Sequence, residues 1–189
     1  MSFTSQQCTK AHDLSLNKSE SSLNAAFQIL LASLFIACCT EIRIPLYFTP
    51  IPLSGSTCAI MFVGLFLGSR KGALAVICYL VERFIGMPLW DGNCAHFFTL
   101  FNASGGYRLA WVLQAFLVGW YFERSMLRNA RAIFVLLLVC GIQLGIGTLW
   151  LGCFAGFNNA MTLGFYPFIP GEFLKVCMVA LYLKPKKGN

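Results

Sequence analysis

Long apolar blocks alternate with short polar breaks along this chain. Residues 1–23 are polar and read as a cytosolic tail, and the block Ser21–Thr40 carries no charge. About 20 apolar residues suffice for a helix to cross a bilayer. A cleavable leader ending near Ala37-Cys38 is the competing reading, and the polar tail and many later apolar blocks argue against it. Thr40–Pro45 ends this helix, and Pro45, Pro50 and Pro52 impose an extended loop, because residues before proline avoid helical backbone. Helix two is expected from about Ser54 to Gly68, ending at Arg70-Lys71. Helix three follows from Gly72 to Ile85, with Glu82 and Arg83 in its last turn. Gly86–Ser104, with Trp90, Asp91, Asn93 and His96, is too polar for a simple span and too long for an ordinary connector. Helix four runs from Gly105 to Phe122, and a basic loop holds Arg124, Arg128 and Arg131. Helix five covers Ala132–Leu151. The uncharged stretch Gly152–Ile169 reads as an outer loop. Helix six starts at Pro170 and ends before Pro185, and a basic tail closes the chain at 186–189.

Composition turns these blocks into membrane spans. Of 189 residues, 58% are hydrophobic and 11% charged, against about 25% charged in soluble domains. The expected architecture is all-α: one membrane domain over 24–185, with six transmembrane helices set among membrane lipids in the cell membrane. The charges orient it. Lys10, Lys18, Arg70, Lys71, Arg124, Arg128, Arg131, Lys184, Lys186 and Lys187 fall on the side of the termini, and only Arg43, Arg83, Arg108 and Lys175 do not. That bias makes both termini cytosolic. The net charge of +7 is dispersed and comes with no nucleic-acid motif. The nine cysteines show no metal-ligand spacing, and a Cys94–Cys153 disulfide on the outer side is conceivable. No P-loop, G-x-S-x-G or H-E-x-x-H occurs. No metal, cofactor or catalytic group is expected.

The unusual polar residues then gather in the outer half, and Phe168–Lys175 stands out among them. Proline fits a first helical turn, and residues three apart share a helix face, so Glu172 and Lys175 point into one space. Charges at membrane depth usually face a cavity or a partner. The plainer reading is a self-neutralising ion pair. At about 15 residues helix six spans roughly 22 Å, short of the ~30 Å hydrocarbon core, so its start should lie below the outer surface with its positive end facing a cavity. Glu82-Arg83 reads as a local ion pair. Trp90 serves equally as an interfacial anchor or as a stacking wall. Ser33-x-x-x-Ala37, Gly64-x-x-x-Gly68 and Gly141-x-x-x-Gly145 are small-residue spacings for close helix packing.

Three stretches together resemble the BioY family, the biotin-specific S components of energy-coupling-factor (ECF) transporters. They are Ile42–Leu46 with Phe48–Pro52, Gly64–Leu74, and Pro167–Lys175. Gly86-Met87-Pro88 and Gly105-Gly106-Tyr107 also fit, so the likeness covers roughly 25–185. The resemblance implies a six-helix subunit that captures biotin from outside, is not itself an enzyme, and depends on a transmembrane coupling subunit and a cytosolic ATPase pair. It maps biotin contacts onto Glu172, Lys175 and Asn93. Trp90 would pack the ring system, and Arg43 would meet the carboxylate tail. Ser56 stands where the family often has Gln, and Glu172 where it usually has Asp. An S component for another vitamin and a membrane-embedded enzyme using Glu172 are the alternatives.

Overall fold

A computed structural model describes residues 23–44, 53–85, 102–124 and 130–182. The first helix, α1 (Leu23–Glu41), buries Ala32, Ser33, Ile36, Ala37 and Thr40, while Phe27, Leu30, Leu31, Leu34 and Phe35 are exposed. Most bulky side chains point out, and apart from Ile36 those that point in are small or hydroxylated. A helix in lipid does this, because tails solvate the large residues and small ones let backbones approach. Beyond α1 the chain closes the proline loop with a two-residue antiparallel ribbon, β1 (Arg43–Ile44) against β2 (Leu53–Ser54), with Arg43 opposite Ser54. The remaining described residues are helical or in short turns.

The next helix, α2 (Ser56–Ile85), runs for 30 residues but breaks at Gly68, where φ is 81°. Eight residues along a straight helix span about 12 Å. Yet a Cβ on Gly72 would lie 3.2 Å from the Gly64 Cα, so α2 doubles back as two arms, 56–67 and 69–85. Only glycine takes this backbone turn freely. Helix α3 (Gly105–Arg124) crosses the break so closely that a Cβ on Gly119 would come within 2.3 Å of the Ser69 nitrogen. Glu123 then caps the second arm. Its Oε1 accepts from the Ser69 N–H at 2.7 Å and its Oε2 from the Ser69 hydroxyl at 2.8 Å. These two bonds, the backbone one first, hold the Glu123 carboxyl below its ordinary pKa.

Helix α4 (Ala130–Ala155) exceeds the expected Ala132–Leu151. The stretch Gly152–Ile169, expected as a loop, is helical nearly throughout. After a break at Gly156, where φ is again 81°, come α5 (Phe157–Ala160), a π-helical turn (Met161–Phe165), a 3-10 turn (Tyr166–Phe168) and α6 (Ile169–Tyr182). Polar side chains in this stretch bond helical carbonyls. Asn159 Nδ2 donates to the Ala155 carbonyl at 3.1 Å, and the Thr162 hydroxyl to that of Asn159 at 3.0 Å. The bare helix end expected at Pro170 is therefore replaced by helical turns running straight into α6.

Four helical stretches among the described residues are long and apolar enough to cross a membrane: Leu23–Glu41, Ser56–Ile85, Arg131–Ala155 and Phe157–Tyr182. One core joins α1, α2 and α3 around Ile36, Ile60, Val76 and Tyr79. A second joins α2, α3, α4 and α6 around Met61, Val118, Leu136 and Val176. The small-residue spacings divide. Ser33 and Ala37 are buried, and a Cβ on Gly64 would meet the Ala115 carbonyl oxygen at 2.7 Å. Gly141 and Gly145 have nothing within 4 Å of a built Cβ among the described residues, so that pair makes no close helix contact there.

Candidate functional site

The site grows from the first turn and a half of α6. Glu172 and Lys175 are 5% and 9% exposed, and their shared helix face brings the Lys175 ammonium 2.7 Å from Glu172 Oε1. The second arm of the contact comes from the start of α2. The Thr57 hydroxyl donates to Glu172 Oε1 at 3.0 Å and accepts from Lys175 Nζ at 2.6 Å. Acid, base and hydroxyl thus close a triangle on one carboxylate oxygen. Pairing of this kind is what makes two charges tolerable away from water. Ser56 is buried beside Thr57, its Oγ 2.6 Å from Ser54 Oγ.

The opposite wall comes from α3 and α4. The Tyr107 hydroxyl donates to the Gly164 carbonyl at 2.8 Å and lies 3.1 Å from the Thr148 hydroxyl. This anchors the π-helical turn and sets the Tyr107 ring near Phe168. Trp111 and Gln143 complete the wall, and the cavity has a volume of about 50 Å³. A second, mainly apolar cavity of about 340 Å³ lies between α1, α2 and α6, and Ser54 and Lys175 line both. A groove of about 690 Å³ on the flank of α1, walled by Phe35, Phe62, Phe66 and Tyr182, is larger but carries no acid or base. Among the described residues, Glu172 and Lys175 come together at the small cavity.

Three side chains that line this cavity each hold a buried polar atom without a hydrogen-bond partner among the described residues: Glu172 Oε2, Gln143 Oε1 and Trp111 Nε1. Leaving such an atom unpaired costs about 1–3 kcal/mol, and more if it is charged. Native proteins rarely keep one without a reason.

Of the residues singled out in the sequence, Glu172, Lys175 and Ser56 meet at this cavity. Arg43 is fixed by its backbone to the ribbon strand opposite Ser54, which itself lines the cavity. Trp90, Asn93, His96 and Cys94 lie outside the described residues. Glu82 and Arg83 do not behave as the local pair expected of them. Adjacent helical residues diverge by about 100°, so Glu82 accepts from the Ser33 hydroxyl at 2.7 Å while Arg83 donates to the Tyr79 hydroxyl at 3.3 Å. Thr57, Tyr107, Trp111 and Gln143 went unseen. Gln143 left a signal in the sequence, an amide inside an uncharged span. Thr57 left none.

Residues 12–187 match the BioY family. The chain belongs to that family. Biotin transporter BioY2 of Lactococcus lactis is 30% identical over 156 residues, covering 82% of this chain and 85% of that protein. Biotin transporter BioY of Rhizobium etli is 30% identical over 162 residues, covering 80% and 86%. The crystal structure of the S component for biotin from an ECF-type ABC transporter is 24% identical, with a TM-score of 0.70 over 87% of this chain and 90% of that one. The fold is therefore that of an S component, an all-helical multi-pass membrane protein.

Proposed function

We propose that this BioY-family chain is a biotin-binding S component that captures biotin from outside the cell for uptake. The observation that carries this reading is the Glu172–Lys175–Thr57 triangle, buried against a polar cavity in a fold of this kind. Biotin has two ureido N–H donors, one ureido carbonyl, an apolar thioether ring and a carboxylate tail. Glu172 Oε2 accepts from a ureido N–H, and Lys175 donates to the ureido carbonyl or to the tail. Asn93, Arg43, Trp90 and Ser56 complete the contacts from the outer loops and the start of α2. Ligand pockets are about 300–1,000 Å³, so the 50 Å³ cavity opens on binding. The adjoining 340 Å³ cavity, with Lys175 in its wall, is the obvious room to open into.

Six spans follow if the two arms of α2 count separately and α3 joins α1, α4 and the run ending in α6. Lys71, just past the bend of α2, donates to Gln28 near the start of α1 at 3.0 Å. Arg124 at the end of α3 lies over the Trp120 ring, 4.2 Å from its centroid. These basic residues support one cytosolic face carrying both termini. Transport energy then comes from a transmembrane coupling subunit and an ATPase pair, so binding survives their removal while energised uptake stops.

Purified protein should bind biotin, and Lys175→Ala should weaken that binding about 30-fold or more. Truncating one partner of a buried charge pair costs about 2–5 kcal/mol, and each 1.4 kcal/mol is tenfold. Unchanged affinity in the variant removes Lys175 from the site. If another vitamin outcompetes labelled biotin, the chain serves that vitamin instead.

A further inference from the structure

We propose that the groove on the flank of α1 binds one anionic phospholipid of the cytosolic leaflet, with an acyl chain along its aromatic wall and the headgroup phosphate on Lys71. The inference rests on the orientation proposed above and is independent of what the polar cavity binds. The groove has a volume of about 690 Å³. On α1 it is lined by Gln28, Leu31, Phe35 and Cys38, which recur at three- and four-residue spacing and so share one face. From Gln28 to Cys38 the helix rises about 15 Å, half of a ~30 Å hydrocarbon core. The groove is as deep as one leaflet, the reach of a single acyl chain.

Its far wall is built from rings that hold one another. Phe62 and Phe66 on the first arm of α2 stack with centroids 6.2 Å apart, and Tyr182 at the end of α6 lies edge-to-face with both, at 5.9 and 5.4 Å. Ring pairs in these arrangements gain more than the area they bury. The Gln28 end of the groove is different. There Lys71 donates to the Gln28 side chain at 3.0 Å in an exposed contact. Among the described residues no carboxylate pairs with that ammonium. Basic pockets between helices on the cytosolic side are where anionic headgroups bind. A zwitterionic lipid would fill the apolar groove equally well, but it would bring no net charge to Lys71.

The test uses the full chain in mild detergent, with phosphatidylglycerol and phosphatidylcholine of matched acyl chains as probes. Native mass spectrometry should show one phosphatidylglycerol retained per chain, in preference to phosphatidylcholine. Lys71→Gln should cut that preference about fivefold, the effect of one basic side chain at a membrane surface. Cys38→Trp, which fills the groove from an exposed position, should abolish retention of both lipids. A ligand that binds only the folded state raises its stability, so phosphatidylglycerol should raise the unfolding temperature of the wild type more than that of either variant. Lys71→Gln changes only an exposed side chain, so its result stands whether or not the bulkier variant folds. The proposal fails if retained lipid shows no preference for the anionic headgroup, or if Lys71→Gln keeps that preference in full. It fails as well if Cys38→Trp retains as much lipid as the wild type, which would mark a loose annular coat. Wild-type protein that retains no lipid, with Cys38→Trp losing self-association or energised uptake, would give the groove to a second copy or to the coupling subunit and overturn the lipid site.

Discussion

Two acidic residues among those described are drawn into the membrane-embedded part of this protein, and they are used differently. Glu172 has a base three residues on, and the helix stacks the two on one face, where Thr57 from α2 closes the triangle. Glu82 has a base as its immediate neighbour, and the helix turns the two apart. Its Oε1 is held by neutral groups, the Ser33 hydroxyl at 2.7 Å and the Cys78 thiol at 3.4 Å, and it ties the second arm of α2 to α1. Among the described residues, both carboxylates leave Oε2 without a hydrogen-bond partner. Only Glu172 does so beside a polar cavity. Spacing along the helix, more than the presence of charge, separates a binding device from an interhelical tie.

The sharpest contrast comes from removing each anchor. Lys175→Met strands Glu172 in a buried position, and losing one member of a buried pair costs about 3–5 kcal/mol. Unfolding in detergent should move accordingly. The double variant Glu172→Gln/Lys175→Met should recover most of that stability and none of the biotin binding. If the double variant is as unstable as the single one, the triangle is not an electrostatic unit. At the other acid, Ser33→Ala should cost about 1–3 kcal/mol by leaving Glu82 Oε1 with only the weak Cys78 thiol, with biotin affinity unchanged. Glu82→Gln keeps an acceptor for Ser33 and buries a neutral group instead of a carboxyl. It should leave stability within about 1 kcal/mol of wild type and binding within roughly twofold. A tenfold loss of affinity in either variant would make Glu82 part of the site and dissolve the contrast.

The same two acids show what sequence alone could and could not convey. Helix existence was legible because lipid demands apolar runs of fixed length. The break expected between Gly68 and Gly72 falls at Gly68, and Gly105 does open a helix. The path from Gly156 to Phe168 was not legible. Its Asn and Thr residues look like loop formers until their side chains are seen bonding helical carbonyls. Glu172 and Lys175 could be paired from the sequence because three residues on a helix define a face. Thr57 could not join them, being 115 residues from Glu172 and brought there only by the crossing of α2 and α6. Trp111 was hidden for the same reason, whereas Gln143 stood out only as an amide in an uncharged span, with nothing to say what it faces. Reading Glu82-Arg83 as a pair was an error of angle, since neighbours on a helix do not face each other.

A third carboxylate extends the comparison to a place where neither burial nor a lysine is involved. Glu123 lies one residue past the apolar run 105–122, fully exposed, and caps the second arm of α2 through the Ser69 N–H and hydroxyl. Those bonds favour its ionised form and lower its pKa from an ordinary 4.5, with Arg70 and Arg124 adding to the effect. The unfolded chain therefore takes up a proton at higher pH than the folded one. The cap's contribution is complete above pH 4.5 and is lost as pH falls through the lower folded value. Glu123→Gln should thus be slightly less stable than wild type at neutral pH, with the gap closing on acidification and little change in biotin affinity at any pH. High salt should narrow the gap at neutral pH only in part, since ions screen the two arginines but leave both Ser69 hydrogen bonds in place. A gap that persists unchanged down to pH 3 would mean that the carboxylate's charge plays no part in holding the bend.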